Sequence, residues 1–376
     1  MENIVIFTVY FKNEREIKMS SEKNIMYMDH LKAKELCEKI FVAQGVAPAD
    51  ASIVADNLIG ADLRGISSHG ISRMMVYSNR LSLGMTNLKA KMNILNETPS
   101  ALHIDADNGF GAPAGIKAME KCIEKAKKSG SAICTVTHSN HFGYAAFYSM
   151  RALEHDMIGL SLSNAPGTMA PWGGINPMLG TNPFCFAVPT AKHYPLVLDC
   201  ATSLVARGKI NLADIEGQPI PEGWAQDDKG RPTTDAVEAL KGTVLPFGNY
   251  KGSGLSMMID VLCALLGGGS YGANIGGLYG DSTDKQNLGH FFAAIDIKVF
   301  QDPQTFKLRV DSMIDEIKGS EKSIGVEEIY VPGELEYLNT RFYSEKGIEV
   351  GPGVIGDLEI LCEKNGVKAD LREYLK

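Results

Sequence analysis

The chain has no C-x-x-C pair, no apolar run long enough for a bilayer, no internal repeat and no basic excess, and each gap removes a class of protein. Its seven cysteines (37, 122, 134, 185, 200, 263 and 362) are odd in number and widely spaced. They suggest neither a disulfide framework nor a zinc knuckle, and they suit a reducing cytoplasmic location. The longest apolar run, Leu255 to Leu266, is interrupted by Asp260 and is too short to cross a membrane. Near the start, Ile4 to Phe11 is apolar, but Glu2 precedes it, charged residues from Lys12 to Lys18 follow, and no small-residue cleavage pattern is present. Residues 1–26 are therefore read as an extension of unknown role, with Met26 or Met28 as an alternative start. A net charge of -8 argues against a nucleic-acid partner. The lysines at 125, 127 and 128 stand beside Glu120 and Glu124 on a helical pattern and read as a solvated face.

What is present is an ordinary globular composition, 44% apolar and 22% charged over 376 residues. A chain of that size buries roughly three quarters of its unfolded surface. Asp29 is a good N-cap for a helix carrying Ala33, Leu36, Cys37 and Ile40 on one face, which Gly45 closes. A second helix from about Ala51 stops at Gly65. A third, with Ile71, Met74, Met75 and Leu81 inward, puts Arg73 and Tyr77 one turn apart on the same face, with its N-terminus near Ser68 and His69. Further on, a helix from Pro113 to Lys128 leads into a strand at Ala132 to Val136, then a loop, a helix over Ala145 to Glu154 and a strand over Ile158 to Leu162. That is an α/β rhythm, in which loops leaving the carboxyl ends of strands carry chemistry.

Two segments stand out on chemical grounds. Arg64-Gly-Ile-Ser-Ser-His-Gly-Ile-Ser-Arg73 and Ser139-Asn-His-Phe-Gly143 each set a histidine among glycines and small polar residues. His69 lies in the first, between helices, and His141 in the second, at a strand's end. Imidazole titrates near neutral pH and suits proton transfer. Arg73 can hold a carboxylate by two parallel hydrogen bonds where a lysine would offer a point charge. A protonated histidine beside a ketone would both stabilise and neutralise the developing alkoxide. Lys251, just ahead of an apolar helix, is a candidate for phosphate.

Other patterns lead nowhere. Gly267, Gly269 and Gly272 match G-x-G-x-x-G but follow a helix, where a dinucleotide fingerprint needs a strand. Gly351, Gly353 and Gly356 sit between a strand and a helix, yet only twenty residues remain beyond them, too few for a complete βαβ unit. His138 and His141 have metal-ligand spacing without a third ligand, so no metal is expected.

Taken in order, Ser68-His-Gly70 with Arg73, Ser139 to Gly143, Pro171-Trp-Gly-Gly174, Gly180-Thr-Asn-Pro183, Leu198-Asp-Cys-Ala-Thr202, Pro232-Thr-Thr-Asp235, Lys251-Gly-Ser-Gly254 and Val331-Pro-Gly-Glu334 resemble the malate/L-lactate dehydrogenase family of the non-Rossmann type. That family also holds ureidoglycolate, sulfolactate and diketogulonate oxidoreductases. The resemblance runs from about Asp29 to the C-terminus. It implies an α/β fold with a mixed, mainly antiparallel sheet, flanking helices and a helical N-terminal region. Within it, residues 27–100 form the helical region with the first histidine loop, 101–305 the mixed-sheet core with the cofactor site, and 306–376 a C-terminal helical region packing back on the core. It further implies a cytoplasmic homodimer that uses NAD, with NADP as the alternative, to interconvert a small 2-hydroxy acid and its 2-oxo acid, malate or L-lactate first.

By motif position the resemblance puts catalysis on His141 and His69, and substrate contacts on Ser68, Arg73 and Tyr77. Cofactor contacts fall on Asp199, Cys200, Ala201, Thr202, Ser203, Lys251, Gly252, Gly333 and Glu334. Cys200 stands where relatives often carry methionine, and Asn164-Ala165 offers no hydroxyl where some carry serine. Trp172 and Asn182 read as architectural. The competing readings are a ureidoglycolate, sulfolactate or sugar-acid oxidoreductase, a non-catalytic binding protein on the same scaffold, and a metal-dependent hydrolase built on His138 and His141.

Overall fold

A computed structural model of the chain describes residues 26–279 and 284–376; all of the expected extension except Met26 lies outside the described residues. Strand β1 (Met26–Met28) leads to helix α1 (His30–Ala43), which Asp29 caps by accepting from the backbone N–H groups of Leu31 and Lys32. Helix α2 (Pro48–Leu63) begins with proline at its first position. Two 3₁₀ turns, Ser67–His69 and Ile71–Arg73, then precede α3 (Met74–Ser82). The single helix expected to start near Ser68 is thus broken. The Asp62 carboxylate accepts from the Ile71 N–H at 2.7 Å, and a Cβ on Gly70 would lie 1.8 Å from an Asp62 oxygen. A side chain that takes a backbone donor in this way competes with helical pairing.

The main sheet has seven strands: β2 (Asn93–Glu97), β3 (Ala101–Asp105), β4 (Ser131–Ser139), β5 (Met157–Ser163), β6 (Phe184–Val188), β7 (Leu196–Cys200) and, near the chain's end, β11 (Leu288–Asp296). Their order is β2-β3-β4-β11-β5-β6-β7. Only β3 and β4 pair in parallel; every other neighbouring pair is antiparallel. The mixed, mainly antiparallel α/β architecture is therefore as the family resemblance implied. Strand β2, fully exposed and paired on one side only, has no apolar alternation by which to recognise it. The strand expected at Phe291 to Val299 starts and ends three residues earlier. Asp296 caps the turn Ile297–Val299 by accepting from the Lys298 N–H.

Both sheet faces are covered. Helix α4 (Gly111–Ser129) packs Met119, Cys122 and Ile123 against Ile104, Cys134, Val136 and Phe292. The short helix α5 (Ala146–Ser149) joins the same side. A small lobe holds α6 (Arg207–Ile215), the two-residue strands β8 (Ala225–Gln226), β9 (Pro232–Thr233) and β10 (Thr243–Val244), and α7 (Ala236–Lys241) around Trp224 and Ile210. On the other face, α8 (Tyr250–Asp260), continued by a π turn at Val261–Leu265, packs Ile259 and Cys263 on Leu162, Phe184 and Phe291.

The end of the chain divides between two places. Helix α9 (Pro303–Lys318) packs Val310 and Ile314 near Leu196 of β7. After α10 (Glu334–Lys346), strand β12 (Ile348–Val350) pairs with β1, and α11 (Pro352–Lys364) adds Leu358 and Leu361 to the core of α1 and α2. The N-terminal helices that carry the first histidine segment are thereby clamped from both ends of the chain. Among the described residues no helix is long and apolar enough to cross a membrane.

Candidate active site

Helix α3 and the turn before it present Arg73, Tyr77 and Arg80 at positions i, i+4 and i+7, one face of a helix. Opposite them, β4 ends at Ser139 and the chain turns through Asn140 and His141. The hydroxyl of Tyr77 lies 2.7 Å from His141 Nδ1. The rings of His69 and His141 stack with centroids 5.5 Å apart and planes 24° from parallel. Ser68 Oγ is 3.0 Å from His69 Nδ1, and Arg73 Nε donates to the Ser68 carbonyl at 2.6 Å. Arg73 Nη1 also meets the Tyr279 hydroxyl, and its guanidinium lies over the Tyr279 ring at 5.2 Å. All five residues expected on the substrate side, Ser68, His69, Arg73, Tyr77 and His141, thus come together from two distant segments.

The His141 loop is held from beneath. His290 of β11 is fully buried and joins Ser163 and Ser139 through its two ring nitrogens, at 2.9 and 2.8 Å. Its ring stacks on Phe142 with centroids 4.6 Å apart. The His141 N–H donates to Gln286 Oε1 at 3.0 Å. Gly143 has φ 78° and stands so close to the Asn57 side chain that a Cβ would overlap it, so the turn requires glycine. Ser139 and Phe142, on either side of His141, are fixed by the same buried imidazole.

Burial sets the charge state. Loss of water pushes His69 down to about 4, with Arg73 adding to the effect. His141 is lowered well below its ordinary range by burial first, then by the neighbouring His69 and Arg73. With only protein groups around them both rings favour the neutral form, so the protonated histidine that ketone reduction calls for has to be gained on the way to the reaction. Tyr77 is pushed up to about 12 by burial, so it stays an uncharged phenol and gives His141 no anion to raise its proton affinity.

The residues expected on the cofactor side are arranged differently. Asp199, next to last in β7, accepts from the Ala146 N–H at 2.7 Å, at the start of α5; burial raises its carboxyl to about 6. Cys200 and Ala201 are half-exposed. Thr202 Oγ1 donates to the Thr181 carbonyl at 3.0 Å, and Ser203 Oγ to that of Val205 at 2.9 Å. A Cβ on Gly252 would come within 2.8 Å of the Thr202 carbonyl, so these two segments adjoin.

Lys251 is exposed and has no partner among the described residues. It lies inside the first turn of α8, not ahead of it. The N–H groups of Lys251, Gly252 and Ser253 already pair with the carbonyls of Gly248, Phe247 and Asn249, so the ammonium is what remains for an anion. Gly333, with φ 88°, packs on Val197 of β7. The Glu334 carboxylate turns inward, pairing with Lys318 at 2.5 Å and accepting from the Val331 N–H.

His138 is engaged elsewhere, with Nδ1 3.0 Å from an Asp105 carboxylate oxygen. Among the described residues no group of three or more His, Cys, Asp or Glu could hold a metal ion. Asn182 is fully buried and bonds Ala165 and Ser256, and Trp172 is half-exposed in its loop. Sequence reasoning missed Arg80, Gln286, Tyr279 and the bracing role of His290. Arg80 had a signal, its i+3 spacing from Tyr77; Gln286 had none.

The family model for malate/L-lactate dehydrogenase matches residues 28–359. The chain belongs to that family. It is accordingly an oxidoreductase acting on the CH–OH group of a hydroxy acid, with a nicotinamide cofactor. Similar proteins include the malate dehydrogenase of Pyrococcus abyssi, 40% identical over 88% of this chain and 92% of that protein. The solved sulfolactate dehydrogenase of Methanocaldococcus jannaschii is 39% identical, covers 93% of this chain and 99% of its own, and superposes with a TM-score of 0.87. Two others differ in the cofactor they are named for. A (2R)-3-sulfolactate dehydrogenase of Chromohalobacter salexigens, named for NADP(+), is 37% identical over 72% of this chain and 81% of its own. A ureidoglycolate dehydrogenase of Escherichia coli K12, named for NAD(+), is 33% identical over 84% and 90%.

Proposed function

We propose that this family member interconverts a small 2-oxo acid and its 2-hydroxy acid, malate or L-lactate first, with His141 exchanging the proton. The observation that carries this is the convergence of His141, His69, Tyr77 and Arg73 from segments some seventy residues apart. Arg73 commits its Nε edge to the Ser68 carbonyl, which leaves its terminal nitrogens for the substrate carboxylate once the Tyr279 hydroxyl yields Nη1. Tyr77 Oη and the Gly143 N–H both meet His141 at Nδ1, at 2.7 and 3.4 Å, which leaves Nε2 as the nitrogen that exchanges a proton with the alcohol or ketone. His69, stacked on His141 and bonded to Ser68, orients the pair. A bound nicotinamide supplies or accepts the hydride.

In the free enzyme the neutral imidazole is ready for alcohol oxidation. For reduction His141 must first gain a proton, and a carboxylate arriving at Arg73 favours that by offsetting one of the charges that hold its affinity down.

The cofactor fits the residues at hand: Lys251 offers an uncommitted cation for phosphate, and Cys200, Ala201, Thr202, Ser203 and Gly252 form a partly exposed backbone ledge beside it. We assign NAD first and NADP second. Asp199 and Glu334 contribute through the chain they hold. Seven free thiols support a reducing cytoplasm, and the exposed apolar row Met257, Val261 and Leu265 on α8 and its π turn supports a homodimer. The second reading, a sulfolactate dehydrogenase, rests on the similarity to the M. jannaschii protein.

The test is oxidation of NADH and NADPH against oxaloacetate, pyruvate, sulfopyruvate and larger 2-oxo acids. Turnover of oxaloacetate or pyruvate with NADH is expected; turnover confined to a larger oxo acid would replace the substrate assignment.

A further inference from the structure

Among the described residues, no carboxylate offsets Arg80, a buried cation beside the catalytic loop. It is 6% exposed, and among the described residues it has no ion pair. Nη1 donates to the Gly277 carbonyl at 2.9 Å. Nη2 reaches Asn140 Oδ1 only at 3.4 Å, and Nε has no acceptor among the described residues. Nε–H and the neighbouring Nη2–H form one flat edge of the guanidinium, the edge that receives a carboxylate or sulfonate side-on. One end of Arg80 is therefore anchored, while on the two-donor edge Nε is unpaired and Nη2 only loosely held. Beside it Gln286, fully buried, accepts from the His141 N–H and leaves its own Nε2 donor unpaired. Gln286 holds the His141 backbone and Arg80 reaches the Asn140 side chain, and both have donors to spare.

An unpaired buried charge is expensive, and buried polar groups are ordinarily satisfied. A surplus of donors with no acceptor among the described residues fits a ligand that brings acceptors. Arg73, about two turns earlier on the same face, serves the carboxylate next to the reacting carbon under the function proposed above, and this inference rests on that reading. We propose that Arg80 reads a second anionic group at the far end of the substrate, so that the preferred substrate is a dianionic 2-oxo acid whose distal carboxylate or sulfonate takes the Nε–Nη2 edge. A monoanionic acid such as pyruvate leaves that edge unpaired and pays the desolvation penalty without return.

The experiment compares kcat/KM for oxaloacetate, sulfopyruvate and pyruvate in the wild-type enzyme, Arg80→Gln and Arg80→Lys, with the same cofactor. Wild type should favour both dianions over pyruvate by about 10²-fold or more, because a site built for a polar group rejects the analogue lacking it. Arg80→Gln should shrink that ratio at least about tenfold, and Arg80→Lys, which keeps the charge but loses the two-donor edge, should fall between. Pyruvate turnover in each variant reports that the protein is folded. Equal losses on all three acids, or a wild type indifferent to the second charge, would overturn the Arg80 assignment and leave the dehydrogenase reading standing. A wild type that reduces none of the three with NADH or NADPH would overturn the substrate reading, and this inference with it.

Discussion

The substrate side and the cofactor side of this enzyme are built on opposite plans. On the first, side chains do the work directly: Tyr77, His69 and His141 touch one another, and Arg73 lies against the same wall. On the second, the expected residues mostly bond within the protein. Asp199 holds the start of α5, Thr202 ties to Thr181, and Glu334 is locked to Lys318. The difference teaches that a motif can mark a site in two ways, by the groups it offers or by the backbone shape it secures. Substitutions on the two sides should fail differently.

Short of removing a catalytic imidazole, the largest effect should come from Arg73→Lys. A point charge cannot reproduce the terminal nitrogen pair, so the apparent KM for the oxo acid should rise and kcat/KM fall by about 10²-fold, with cofactor affinity little changed. Steady-state kinetics with a cofactor titration by fluorescence would show it. A change confined to cofactor binding would break the contrast between the two sides.

Next comes the pH profile. Because burial and the nearby cations hold His141 well below its ordinary range, the proton-bearing form grows scarcer as pH rises. The kcat/KM for reduction should drop about tenfold per unit between roughly pH 6 and 8, while that for hydroxy-acid oxidation, which uses the neutral ring, stays flat. Tyr77→Phe should lower kcat in both directions by about tenfold through loss of the bond that orients the ring. A level reduction profile would mean that the free enzyme's acid is charged at neutral pH after all.

On the cofactor side, Glu334→Gln should act on stability, since it leaves the buried end of an ion pair half-made; a loss of about 1–3 kcal/mol in chemical denaturation is expected, with the cofactor Kd nearly unchanged. Lys251→Ala, the smallest effect, should weaken cofactor binding by a few-fold, and less so at high salt, because the cation is exposed. A large stability loss at Lys251 or a cofactor defect at Glu334 would reverse the assignment of the two roles.

Much of the substrate side was legible because its chemistry is concentrated in short segments: a histidine among small residues, an arginine four residues before a tyrosine, a strand ending at Ser139. The α/β rhythm from Pro113 to Leu162 was legible for the same reason, since periodicity and glycine stops are local. What escaped depends on distant partners. No local pattern says that Asp62 will capture the Ile71 N–H and split a helix, or that Gln286 will meet His141. The charge state escaped as well, because burial of His141 depends on residues from β11, α3 and its own loop at once.

The measurement that bears most directly on the central claim is the turnover number of His141→Ala beside that of His69→Ala, in oxo-acid reduction at saturating cofactor. If His141 exchanges the proton through Nε2 and His69 only orients it, His141→Ala loses about 10³-fold or more and His69→Ala clearly less, both with intact cofactor affinity. A His69→Ala variant more damaged than His141→Ala would contradict the account and make His69 the acid.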